Sequence, residues 1–154
     1  MTGNYFGHNL RKGRVSLKGH IYLVTAVTHE RKPAFTDLIA GRIVVREIMR
    51  SEVFGDTNTL AFVVMPDHLH WMFSLEGNRT LSSVIGAVKR HSARQINKIF
   101  SMPGNTVWQR SFHDHALRRD EDIVHAARYV IANPLRAGLV SKIGDYPLWD
   151  TVWL

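Results

Sequence analysis

The hydrophobic pattern along the chain changes period several times, and each period predicts an element. The run "HIYLVTAVTHE" is rich in β-branched and aromatic residues over a strand's length, which predicts a first strand over about 20–29. In "TDLIAGRIVVREIMRSEV", Leu38, Ile39, Ile43, Val44 and Ile48 recur at helical spacing behind Thr36 or Asp37 as N-cap, so a helix follows. "TLAFVVM" and "HLHWMFSLE" predict two strands joined through Pro66 and Asp67, a connection short enough for an antiparallel hairpin. A second helix is expected behind Thr80, with Leu81, Ile85, Val88 and Ile96 on one stripe and Lys89, Arg90, Arg94 and Lys98 on the other side. "SMPGNT" interrupts it, "VWQRSFHDHALRR" predicts a strand of mixed character, and a third helix is expected from about Asp120 to Asn133, ended by Pro134. The order β α β β α β α suits an α+β fold of ferredoxin-like type, an antiparallel sheet with helices packed on it.

Length and composition narrow the picture further. A chain of 154 residues with no internal repeat is expected to form one domain over 1–154, with a basic arm at 1–19 and a C-terminal tail at 141–154. The tail "YPLWDTVWL" is apolar enough to cover the sheet, meet a partner or plug a site, and its sequence does not choose among these. No cysteine is present, so any metal must be held by nitrogen and oxygen ligands, which fits a reducing cytosol. No window has the ~18–20 apolar residues that span a bilayer, and the first residues lack an apolar signal core. The expectation is a cytoplasmic protein with no membrane partner. Twenty Lys and Arg against 13 Asp and Glu give a formal charge of +7, which favours a polyanion such as nucleic acid.

Two histidines stand one residue apart in "VVMPDHLHWMFSLE". In a strand, residues i and i+2 share a face, so His68 and His70 project side by side, away from Leu69 and Trp71. Such a pair is half of a metal site, and equally two polar residues near a sheet edge satisfied by carbonyls. A second pair, His113 and His115 in "FHDH", extends the first to a metal or acid–base cluster if the strands are neighbours, or to a four-histidine zinc site. In "DEDIVHAARYVIANP", Ile123, Ala127 and Val130 define an apolar stripe with Ala126 beside it. Tyr129 falls at its border with solvent, and Asn133 one turn later on the same flank. That arrangement serves a nucleophile beside a metal ligand, and also an amphipathic ring with a turn-capping amide.

The blocks "YLVTAVTHERKPAF", "VVMPDHLHWMFSL" and "VWQRSFHDHALRRDEDIVHAARYVIANPLRAGLV", in this order, resemble the REP-associated tyrosine transposases, a branch of the single-tyrosine His-hydrophobic-His (HUH) transposase superfamily. The resemblance implies a ferredoxin-like single-stranded DNA endonuclease and strand transferase acting at palindromic, REP-like hairpins through a 5′-phosphotyrosine. It places the metal ligands on His68, His70 and Asn133, the nucleophile on Tyr129 of a C-terminal helix, and implies a divalent cation, Mg or Mn, as cofactor. His113 and His115 are then possible acid–base groups. Single-stranded or hairpin DNA is the implied partner, with Arg11, Lys12, Arg14, Lys89, Arg90, Arg94, Arg110, Arg118 and Arg119 as candidate phosphate contacts. Tyr5, Phe6 and Trp108 are candidates for stacking unpaired bases. The oligomeric state, monomer or homodimer, stays open. "NPLRAGLV" belongs to the resemblance and receives no chemistry from it.

Two rival readings differ in class. One is a non-catalytic hairpin-DNA-binding protein domesticated from a transposase, against which the intact His68, His70 and Tyr129 count. The other is a zinc hydrolase or structural zinc protein using all four histidines.

Overall fold

The computed structural model describes residues 16–118 and 123–153. Arg11, Lys12, Arg14, Tyr5, Phe6 and Arg119 lie outside the described residues, as do the first residues expected for the third helix.

The elements follow the sequence pattern closely in the first two-thirds of the chain. Strand β1 is Ile21–Val27, helix α1 Leu38–Val53, strand β2 Thr57–Met65, strand β3 His68–Leu75 and helix α2 Leu81–Ile99. Asp37 is the N-cap of α1, its carboxylate accepting from the Ile39 and Ala40 amides at 2.8 and 3.3 Å. Thr80 caps α2 by accepting from the Ser83 amide at 3.1 Å. Each such cap contributes on the order of 1 kcal/mol.

Strand β4 is His113–Ala116, and a fifth strand, β5, is Trp149–Thr151. The sheet order is β4-β1-β3-β2-β5 with every pairing antiparallel. The first four strands have the ferredoxin-like arrangement, and β3 sits in the middle. Strand alternation then separates two packed layers. On one face Leu69, Trp71, Phe73 and Leu75 of β3 meet Ile43, Val44 and Ile48 of α1 and Val84, Ile85 and Val88 of α2. On the other face Met72 of β3, with Ala61, Val63 and Met65 of β2, meets Ala127, Val130 and Ile131. Those three residues belong to helix α3, Ile123–Ile131.

Four expectations need correction or completion. The strand expected across "VWQRSFHDHALRR" is confined to His113–Ala116; upstream, Trp108 makes an isolated bridge with Thr28 instead. Trp108 is also no exposed platform for bases. It is buried, its ring 5.1 Å from that of Phe35 and its indole N–H donating to Ser92 Oγ at 3.0 Å. Pro134 does not simply end the third helix: α3 stops at Ile131, and a short helix α4, Asn133–Arg136, carries Pro134 in its first turn. A missing N–H is harmless there, and Ala132 between the two helices keeps a right-handed backbone at φ −80°, ψ −2°.

The tail covers the sheet edge. β5 pairs with Ala61–Val63 of β2, the Tyr146 hydroxyl donates to the Val64 carbonyl at 2.5 Å, and Val64 N–H donates to the Leu148 carbonyl. Leu148 approaches α1 at Gly41, where a Cβ would lie 2.4 Å from Leu148 Cδ1. Glycine is what admits the tail at that point.

Candidate active site

His68 and His70 project from the central strand on the face covered by α3, the same face as Met72. Their rings stand edge to face with centroids 4.8 Å apart. Each engages its Nδ1 with a protein partner. His68 Nδ1 donates to Asp67 Oδ1 at 2.7 Å, and His70 Nδ1 lies 2.8 Å from Thr25 Oγ1 on the neighbouring strand, where Thr25 is its register partner. This leaves both Nε2 atoms clear of these partners; Thr25 Oγ1 can accept from His70 Nδ1, the tautomer that puts the lone pair on Nε2. Fixing one ring nitrogen to orient the other is the usual second layer of a histidine metal site.

The electrostatics favour the same use. Burial, then the charges of His68 and Arg136, push the His70 pKa down to about 4, so its imidazole is neutral at pH 7. A neutral imidazole needs no proton removed before it ligates a metal. Burial raises the Asp67 carboxyl, but the hydrogen bond and charge of His68 and those of Arg31 outweigh it and leave its pKa lowered. Arg31 Nη1 donates to Asp67 Oδ2 at 3.1 Å. Arg31 comes from the turn His29–Arg31, in which both Glu30 and Arg31 have positive φ, 55° and 52°. Thr28 ties that turn to the β2–β3 connection: its N–H donates to the Asp67 carbonyl at 2.9 Å, and its hydroxyl lies 2.7 Å from the Lys32 carbonyl and 3.0 Å from that of Asp67.

Tyr129 lies on α3 with 58 % of its surface exposed, while Ala127, Val130 and Ile131 anchor the helix to the sheet. The expected stripe therefore holds, and the ring is accessible, as a nucleophile requires. Asn133 begins α4; its side-chain amide donates from Nδ2 to the Val130 carbonyl at 2.8 Å, so its Oδ1 remains an acceptor. Arg136, at the end of α4, lays its guanidinium 3.8 Å from the centroid of the Tyr129 ring. By donor type, two imidazole nitrogens and one amide oxygen suit a divalent cation of intermediate or hard character.

The second histidine pair joins this face without completing a metal cage. His113 pairs with Thr25 and His115 with Leu23, so both project on the side of His70. β1 stands between β3 and β4, which separates the two pairs by two strand spacings, about 10 Å. Among the described residues no three His, Cys, Asp or Glu side chains converge on a metal position. The four-histidine zinc site is therefore not assembled.

On the opposite face, α2 and residues 105–112 enclose a groove of about 820 Å³ lined by Gly86, Arg90, Trp108 and Arg110 among others. Arg90, Arg94, Arg110 and Arg118 are exposed, as phosphate contacts must be. Lys89 is different: its Nζ donates to the Gln109 and Ser111 carbonyls at 2.6 and 3.2 Å and so holds the groove wall.

Sequence reasoning missed Asp67, Thr25, Arg31 and Arg136. Asp67 adjoins His68 and Arg136 follows Tyr129 by seven residues, two helical turns, so both carried a local signal. Thr25 and Arg31 reach the site only through strand pairing and loop contact.

The IS200-like transposase profile matches residues 16–132. The chain belongs to that family. Membership places it among enzymes that cut and rejoin DNA. A Haemophilus influenzae relative, described as a candidate REP-associated tyrosine transposase, is 28 % identical over 141 residues, covering 84 % of this chain and 78 % of the relative. The Escherichia coli REP-associated tyrosine transposase is 33 % identical over 90 residues, 56 % of this chain and half of the relative. Among solved structures, a REP-associated tyrosine transposase bound to a REP hairpin superposes with a TM-score of 0.71 at 25 % identity, covering 88 % of this chain and 79 % of that one. A candidate transposase from Deinococcus radiodurans shares the fold, with a TM-score of 0.55 at 18 % identity over 82 % of this chain and 90 % of that one. No helix among the described residues is long and apolar enough to cross a membrane.

Proposed function

We propose that the protein is a metal-dependent single-stranded DNA endonuclease and strand transferase that acts at palindromic, REP-like hairpins through a 5′-phosphotyrosine. One observation carries the reading: two oriented imidazoles, one of them held neutral, stand on the sheet face that the Tyr129 helix covers. The relative solved with a REP hairpin supplies the substrate class.

His68 and His70 would hold the cation through Nε2 and Asn133 through Oδ1. A bound Mg or Mn would supply Lewis-acid stabilisation of charge on the scissile phosphate. Tyr129 Oη gives up its proton and attacks phosphorus in line, its P–O bond forms as the bond to the 3′ oxygen breaks, and the departing strand leaves as a 3′ hydroxyl after taking up a proton. His113 and His115, exposed on the same face, are candidate imidazoles for proton transfer. The phosphotyrosine ester retains the energy of the broken diester, so a second 3′ hydroxyl can reverse the step without a nucleotide cofactor. Asp67 and Thr25 orient the ligands and take no part in bond making.

The test is a labelled single-stranded hairpin oligonucleotide from palindromes flanking the coding region, mixed with protein and Mg or Mn and run on a denaturing gel. A covalent protein–DNA band supports the enzyme. Tight binding with no band under either metal supports the domesticated hairpin binder instead.

A further inference from the structure

Arg136 is the one charged residue of "NPLRAGLV", and it stands beside the proposed nucleophile. Its guanidinium carbon lies over the Tyr129 ring, 3.8 Å from the centroid. This cation over the tyrosine has no balancing carboxylate among the described residues. Asp67 pairs elsewhere: its two carboxylate oxygens accept from His68 and Arg31.

We infer that Arg136 is a binding residue for the scissile phosphate, stacked on Tyr129 so that the guanidinium edge and the phenol oxygen address the same phosphodiester. This inference rests on the nuclease reading and specifies how that site recognises its substrate. Three physical points support it. Stacking on the ring face occupies the guanidinium plane and leaves its N–H edge free, and that edge matches two phosphate oxygens at once. A site that also binds a divalent cation would hold two like-charged centres close together, an arrangement that requires an anionic ligand. Finally, Tyr129, Asn133 and Arg136 follow one another at four and three residues along two helices joined through the right-handed Ala132, which puts them on one flank.

The experiment is a binding measurement in the catalytically silent Tyr129→Phe protein, which keeps the ring that the guanidinium lies on. The cleavage junction is first mapped with the unsubstituted protein through its covalent adduct. Affinity is then measured for two hairpin oligonucleotides, one natural and one carrying a single uncharged methylphosphonate at that junction. Adding Arg136→Ala is expected to weaken the natural oligonucleotide about tenfold or more, the ordinary loss of a charge-assisted hydrogen bond, and to leave the methylphosphonate nearly unaffected. Arg136→Lys is expected to recover part of the loss, because it keeps the charge without the fork. Equal weakening of both oligonucleotides would mean that Arg136 only packs on the tyrosine, and would overturn the inference while leaving the nuclease standing. Failure of the unsubstituted protein to form any adduct would overturn both.

Discussion

The Asp67 carboxylate accepts a hydrogen bond from His68 Nδ1 at 2.7 Å, and this contact fixes which nitrogen of His68 can face a metal. An ionised carboxylate only accepts, so the proton resides on Nδ1 and the lone pair on Nε2. Arg31, held by a turn with two positive φ angles, keeps the carboxylate in place from its other oxygen. Loss of such a partner typically costs 10–100-fold in metal affinity. Asp67→Ala is therefore expected to weaken Mn binding by about that factor, read by calorimetry or by Mn electron paramagnetic resonance on the DNA-free protein. Arg31→Ala should give a smaller loss in the same direction. Unaltered Mn affinity in Asp67→Ala would remove the orienting role.

Tyr129 and His68 are assigned different tasks, and substitution should separate them. Tyr129→Phe deletes only the hydroxyl from a side chain that is 58 % exposed, so fold and hairpin affinity are expected to stay within about twofold while the covalent adduct disappears. His68→Ala should leave the tyrosine in place and remove metal-dependent cleavage, with partial return at high Mn. Cleavage that survives Tyr129→Phe would point to water as the nucleophile.

Much of this architecture is legible in the sequence where one period dominates. β2 and β3 flank Pro66 and Asp67, α2 follows a threonine cap, and the order of the first four strands follows from them. The i, i+2 rule also put both imidazoles on one face. What was not legible depends on contacts between distant residues. β5 has only three residues and becomes a strand because β2, more than 80 residues earlier, offers it an edge. Arg31 meets Asp67 across 36 residues through a backbone that sequence does not announce. Trp108 looked like a surface ring because its segment mixes polar and apolar residues, whereas Ser92 and Phe35 bury it.

The depressed His70 pKa has a consequence for stability with a definite sign. Folded His70 titrates at about 4 against an ordinary value of 6.5, because of burial first and then the charges of His68 and Arg136. Between those values the unfolded chain carries the proton and the folded chain does not, so unfolding takes up a proton and acid favours it. The contribution is fully present above pH 6.5, falls as pH drops toward 4, and is flat below that. Its slope is at most about 1.4 kcal/mol per pH unit, and its total on the order of 3 kcal/mol. Urea unfolding in the presence of a chelator, compared with His70→Gln, is expected to show a steeper loss for the unsubstituted protein in that window. Parallel pH profiles for the two would contradict the shift.

The tail offers the last prediction, because its attachment combines apolar contacts with several hydrogen bonds to β2, that of Tyr146 among them. Tyr146 packs against both layers and its hydroxyl donates to the Val64 carbonyl, while burial raises its pKa. Tyr146→Phe keeps the ring and strands a buried carbonyl lone pair, which costs on the order of 1 kcal/mol. Truncation before Tyr146 removes far more: the ring, Leu148 against Gly41, and β5 along the exposed edge of β2. An uncovered strand edge is a template for pairing between molecules. The expected outcome is a modest loss of unfolding free energy for Tyr146→Phe, and for the truncated chain a large loss with concentration-dependent association, measured by urea titration and light scattering. A truncated chain as stable and monodisperse as its parent would show that β5 is dispensable to the sheet.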